Sequence, residues 1–149
     1  CYTLMAGASS ADIRRTADIQ INASDYDGLD VSREVPATAA VDMTGAEFSA
    51  DRQLREYVLI NDWQSSVIFE FCRLKSYHNI EVTASNPGGV VKLTFVTSDN
   101  RTAAEIEIPS TASLTEFVTV TAPVEPIDGL TSLKCTVSGM LSLRSFRFF

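Results

Sequence analysis

Nucleophilic catalysis asks for a Ser, Cys or Thr beside a base and a group that orients that base. The chain offers one histidine, His78, in the stretch SYHNIE, where the polar neighbours of a strand start make it a turn residue. No GxSxG, HExxH or Gly-rich phosphate loop is present. Glycoside hydrolysis needs two carboxylates facing each other across the bond to be cut. With 19 acidic residues some such pair is inevitable, so the number carries no information. Asp25 and Asp27, in SDYDG, read as a turn in which Asp side chains bond their own backbone. Calcium takes six to eight oxygens, and with no EF-hand loop such a site would have to be assembled across several loops. A noncatalytic role is expected.

The three cysteines, Cys1, Cys72 and Cys135, have no CxxC or Cys/His spacing, which argues against zinc. Cys72, in VIFEFCRL, and Cys135, in LKCTV, lie in strand-like runs and read as buried thiols. A disulfide between them needs a geometry that sequence does not supply. Cys1 has two readings. It is either the lipid-acceptor cysteine left after signal-peptide cleavage of a bacterial lipoprotein, or the point where a larger protein was cut.

The 149 residues suit one domain, at 45% hydrophobic and 21% charged. No run approaches the ~18 apolar residues of a membrane-spanning helix. The formal net charge is −7, and Lys and Arg are scattered without forming a stripe, which argues against nucleic acid. An acidic surface suits a secreted protein that must stay dispersed.

Residues 1–16 read as a lead-in segment and 17–149 as one continuous domain. The candidate strands are DIQINA, EYVLI, SSVIFEFCRL, YHNIEVTAS, GVVKLTFVTS, AAEIEIP, TEFVTVTA, TSLKCTVSG and MLSLRSFRFF. Several alternate, as in Val91, Leu93 and Phe95 against Lys92 and Thr94, giving one wet and one dry face. The connectors NPGG (86–89), SDNR (98–101) and PIDG (126–129) are turn chemistry. With no 3.6-residue period, the expectation is an all-β fold, an antiparallel β-sandwich or jelly roll.

From residue 19 to 149 the pattern resembles the family 6 carbohydrate-binding modules. The family's EAEDYDG-like turn corresponds to NASDYDG (22–28), its VQxE element to VSRE (31–34) and its GYIxxGDW segment to EYVLINDW (56–63). Its VPxTGGWQTW stretch corresponds to IPSTASLTEF (108–117), and its closing strand to MLSLRSFRF (140–148). The resemblance implies a galactose-binding-like jelly roll and a sugar site in the loops at one edge, where a Tyr and a Trp hold a sugar ring. Tyr57 matches that tyrosine and Glu34 a carboxylate that accepts sugar hydroxyls. Leu114 stands at the tryptophan position and Ser142 at that of a sugar-binding asparagine. Leucine keeps apolar contact but gives up flat stacking, worth roughly 1–3 kcal/mol for ring ligands.

The family's structural calcium is held by two glutamates and an aspartate, at whose positions stand Asn22, Ser24 and Arg144. The resemblance therefore implies that the metal site is lost, so that no cofactor is expected, with Arg144 donating to carbonyls where the ion would sit. A second family site lies on the concave sheet face, where residues cannot be ranked without strand register. Tyr26, Tyr77 and Phe117 read as core or edge packing. Trp63, opening a strand with apolar neighbours, reads as core, and Tyr57 as the ring that faces ligand.

The function implied is a noncatalytic module that targets an attached enzyme, such as a glycoside hydrolase domain, or a cell surface to a polysaccharide or oligosaccharide. The alternative is a structural or protein-interaction sandwich of the same fold with a degenerate sugar site, motivated by Leu114 and Ser142.

Overall fold

The computed structural model describes residues 2–9, 12–19 and 27–149. Strands β1 (Tyr2–Ser9) and β2 (Asp12–Ile19) pair antiparallel as a two-stranded sheet. The candidate strand DIQINA enters β2 only with Asp18 and Ile19; its remaining residues, like Tyr26, lie outside those described. β1 escaped the sequence reading because Ala6, Gly7 and Ala8 break any alternation of apolar and polar side chains.

The other strands are β3 (Leu29–Asp30), β4 (Val35–Pro36), β5 (Asp42–Thr44), β6 (Ala46–Ala50), β7 (Glu56–Ile60) and β8 (Ser66–Lys75). They continue with β9 (Asn79–Ser85), β10 (Val91–Thr97), β11 (Thr102–Ile108), β12 (Val118–Pro123), β13 (Asp128–Val137) and β14 (Leu141–Phe148). Two sheets form a sandwich. One runs β11-β10-β13-β8-β3 with β5 also on β8; the other runs β12-β9-β14-β7-β6 with β4 also on β14. Neighbours are antiparallel except β3 against β8. The expected antiparallel β-sandwich is therefore the fold. The strands from β7 onward coincide with the candidate runs to within a few residues at each end. β3 to β6 went unseen because two to five residues are too few to display a period.

The core is the shared dry face of the two sheets, and its centre is aromatic. Phe69 of β8 and Phe95 of β10 each place a ring centroid 4.9 Å from that of Phe146 in β14. Edge-to-face and tilted packing of this kind adds to plain burial. Two bulges adjust the phase of the side chains. In β8 the step from Phe69 to Cys72 passes two exposed residues, Glu70 and Phe71, with Phe71 at φ 56°. In β14 the core residues are Leu141, Leu143, Phe146 and Phe148, because the register slips between Leu143 and Ser145. The extra residue in each strand re-aims the side chains beyond it.

Cys72 and Cys135 are both free and fully buried, opposite Thr131 and Val67 respectively. Burial pushes the Cys72 thiol from its ordinary value of 9.0 to about 12, and Cys135 is pushed up by the same cause. The folded state thus holds these protons more tightly than the unfolded chain. That contribution is complete below about pH 9 and is lost as pH rises toward 12. We expect Cys72 and Cys135 to resist a thiol reagent at pH 8 until urea unfolds the domain, read in a Cys1→Ser background, and a denaturation midpoint that falls steeply above pH 9.

Candidate functional site

Strand register decides which side chains face out. Val58 and Ile60 of β7, Ile80, Val82 and Ala84 of β9, and Leu141 and Leu143 of β14 point into the core. Their alternates, Tyr57 and Leu59, Glu81, Thr83 and Ser85, and Ser142, lie on the outer face of the second sheet. The β14 bulge adds Arg144 and Ser145 to that face, followed by Arg147. β12 contributes Thr119 and Thr121, opposite Thr83 and Glu81.

The segment 109–117 crosses part of this face. It is fastened to the end of β9: Thr111 N donates to Asn86 O at 2.6 Å and Asn86 N to Thr111 Oγ1 at 3.0 Å. Ser85 Oγ donates to Leu114 O at 2.6 Å. So anchored, the segment sets the Phe117 ring 5.6 Å from that of Tyr57, tilted by 60°, and the Arg144 guanidinium lies 5.7 Å from the Phe117 centroid. Tyr57 retains only 6% of its exposure, and its hydroxyl accepts a hydrogen bond from Ser49 Oγ at 3.1 Å. Ser142 is fully buried between Leu59 and Ser85, and its hydroxyl has no hydrogen-bond partner among the described residues. Leaving such a group unpaired costs about 1–3 kcal/mol.

Tyr57, half-buried Leu114 and Ser142 therefore share one neighbourhood, in which the ring beside Tyr57 is the chain's own Phe117. Sequence reading placed Phe117 in core or edge packing but had no signal for this partner. Arg144, which the bulge sends outward, engages that ring by a cation–π contact. Asn22 and Ser24 lie outside the described residues.

Glu34 stands apart. It precedes β4, whose pairing of Val35 and Pro36 with Phe146 and Ser145 brings the carboxylate to an open outer-face pocket of about 300 Å³. Glu34, Glu81, Thr83, Ser145 and Arg147 line it, with Phe146 at its base. Ser145 Oγ donates to Glu34 Oε1 at 2.7 Å. Arg147 grips Glu81 through Nε at 2.8 Å and Nη2 at 3.2 Å, and the Thr83 and Thr119 hydroxyls are 3.1 Å apart. The Arg147 guanidinium also sits 5.5 Å from the ring centroid of Phe149, which is 48% exposed. Carboxylate acceptors, guanidinium donors and hydroxyls able to do either suit a polyhydroxylated ligand. This pocket joins residues far apart in sequence, which only the register of β14 could have revealed.

No protein-family model matches the sequence, and no curated protein does. Solved structures match its fold. A family 6 carbohydrate-binding module from Clostridium stercorarium, in complex with cellobiose, superposes with a TM-score of 0.73 at 11% identity, covering 80% of this chain and 94% of that one. The likeness is one of fold. A β-1,3-glucan-binding family 6 module from Bacillus halodurans gives 0.67 at 19% identity, covering 80% and 96%. A glycoside hydrolase family 43 arabinoxylan arabinofuranohydrolase from Bacillus subtilis, in complex with cellotetraose, gives 0.68 at 10% identity, over 97% of this chain and 32% of that one. The sandwich is thus the architecture of the family 6 modules.

His78 is an exposed turn residue, and the half-buried Tyr77 packs against the core, 6.4 Å from Phe148. Trp63 corrects its expectation. It lies in the turn between β7 and β8 and is 69% exposed, because β8 opens only at Ser66 and the first inward position there belongs to Val67.

Proposed function

We propose that this chain is a noncatalytic carbohydrate-binding module that holds a polysaccharide on the outer face of its second sheet. The observation that carries the reading is the open pocket around Glu34 and Ser145, on a fold shared with modules solved with bound sugars. Glu34 is the contact suggested by the family resemblance that remains accessible, while Phe117 covers Tyr57. The role we infer is to tether an attached catalytic domain or a cell surface to its substrate. The match of nearly the whole chain to about a third of a larger hydrolase chain supports the first setting. An extracellular or cell-surface location follows from such a target. No divalent ion is required in this reading, since Arg144 stands where the family places an acid.

Affinity electrophoresis on a panel of β-glucans, xylans and mannans tests this. We expect retardation by at least one glycan, unchanged by EDTA, and about tenfold weaker binding in Glu34→Ala, with the fold intact and a stability loss of about 1–3 kcal/mol from the lost Ser145 bond. That loss of binding corresponds to about 1.4 kcal/mol, at the lower end of what one hydrogen bond to a charged group contributes. The covered Tyr57 ring favours a second reading, a structural or protein-interaction sandwich. An intact fold that no glycan retards would select it.

A further inference from the structure

β6 is an edge of the second sheet, paired on one side with β7 and, among the described residues, with no strand on the other. Asn61 N donates to Gly45 O at 3.2 Å and Asp51 N to Arg55 O at 3.1 Å, and these two bonds bracket the strand. Alternation along an antiparallel ladder then turns the backbone groups of Glu47 and Ser49 toward β7 and leaves the N–H and C=O of Ala46, Phe48 and Ala50 facing away from it. Proteins commonly guard such an edge with charge or proline. β11 carries Glu105 and Glu107 and β12 ends on Pro123, whereas β6 has Phe48 at its centre. Phe48 lies opposite the core residue Val58, on the inward face of the sheet, yet it is 54% exposed. It lines an open groove of about 340 Å³ with Ser49, Ala50, Glu56 and Thr38, the last from a short 3-10 turn at Ala37–Ala39.

We propose that this edge is a docking surface for a second copy of the chain, the two β6 strands pairing antiparallel about a twofold axis at Phe48. That register makes the strand its own complement. Phe48 exchanges both backbone bonds with its counterpart and Ala46 does so with Ala50, so every outward N–H and C=O finds a partner. Glu47 falls opposite Ser49, so no like charges meet across the pair. The two Phe48 rings lie side by side on one face, each at the mouth of the other's groove. Beyond the strand, the exposed Arg52 and Leu54 of the β6–β7 turn run toward the exposed Asp42 and Val41 of the second copy, a charge pair and an apolar pair. An unrelated strand would satisfy the backbone but would bring neither the second ring nor these pairs. A strand of five residues and a net charge of −7 on each copy make the association weak and dependent on concentration. The axis is perpendicular to the joined sheet, so on the glycan-binding reading both Glu34 pockets open on one side of the dimer, where a long polysaccharide engages the two together.

Sedimentation velocity of the whole chain, under reducing conditions so that Cys1 cannot bridge two copies, tests this without any glycan. We expect the mass to rise from that of one chain toward that of two as concentration increases. Phe48→Lys sets two like charges at the axis and should remain a monomer throughout, with a thermal midpoint only slightly lowered in dilute solution. Ala50→Pro removes an outward N–H that β7 does not use and should weaken the dimer by about tenfold. A wild-type protein that stays monomeric at every concentration would overturn the proposal, and so would a dimer that survives both substitutions. Dissociation by Phe48→Lys alone would mean side-chain contact without strand pairing, and would overturn the register. A monomeric wild type whose thermal midpoint collapses in Phe48→Lys would make another part of the chain itself the cover of this edge. Each of these results leaves the Glu34 reading standing.

Discussion

Phe146→Ala is expected to destabilise the domain by about 3–5 kcal/mol, the range for a large aromatic removed from a packed core. The ring is 1% exposed and touches aromatic side chains from both sheets, Phe69 and Phe95 on one and Phe148 on its own strand. Its loss leaves a cavity that no single neighbour can fill, since the rings around it are each fixed by a different strand. Against a total stability of ~5–15 kcal/mol for a domain, the transition should move by on the order of 10 °C. Calorimetry or urea unfolding followed by circular dichroism measures it. A loss below 1 kcal/mol would show that the two sheets close over the gap, and that the aromatic cluster is not what ties them.

Tyr57→Ala carries the second large effect, and it separates packing from binding. With Phe117 against one side of its ring and Ser49 bonded to its hydroxyl, the substitution is expected to cost about 3 kcal/mol of stability. Tyr57→Phe removes only the hydroxyl and should cost about 1 kcal/mol. Neither change should alter the glycan affinity of the folded protein. The reverse pattern, unchanged stability and lost affinity, would mean that Phe117 swings away to admit a sugar and that Tyr57 is its platform.

Alternation made much of the fold legible. Long strands with one wet face declare themselves, and β7 to β14 do so within a few residues of their ends. Bulges do not, because a single extra residue is indistinguishable from imperfect alternation until a partner strand supplies the register. The site was less legible. Tyr57, Leu114 and Ser142 were suggested by resemblance, and the structure gathers them, but no sequence pattern told that the segment 109–117 would lay Phe117 over the tyrosine. Trp63 and Tyr57 show the same limit from opposite sides. Both looked like strand aromatics, yet the one expected to face ligand is covered and the one expected inside is in water. Hydrophobicity ranks a residue's preference for burial; which ring obtains cover depends on loops that fold back from elsewhere.

The extra residue in β14 has a consequence for how the surface is divided. By sending Arg144 and Ser145 outward in succession, it delivers one side chain to the Phe117 ring and the next to Glu34. A regular strand would give that stretch a single outward position and turn Phe146 and Phe148 to the wet side. The strand therefore behaves like a watershed. Upstream of the bulge its outer face drains into a sealed patch covered by the chain's own Phe117, and downstream into an open polar one. The two can change independently, because the boundary between them is also what keeps the core in phase.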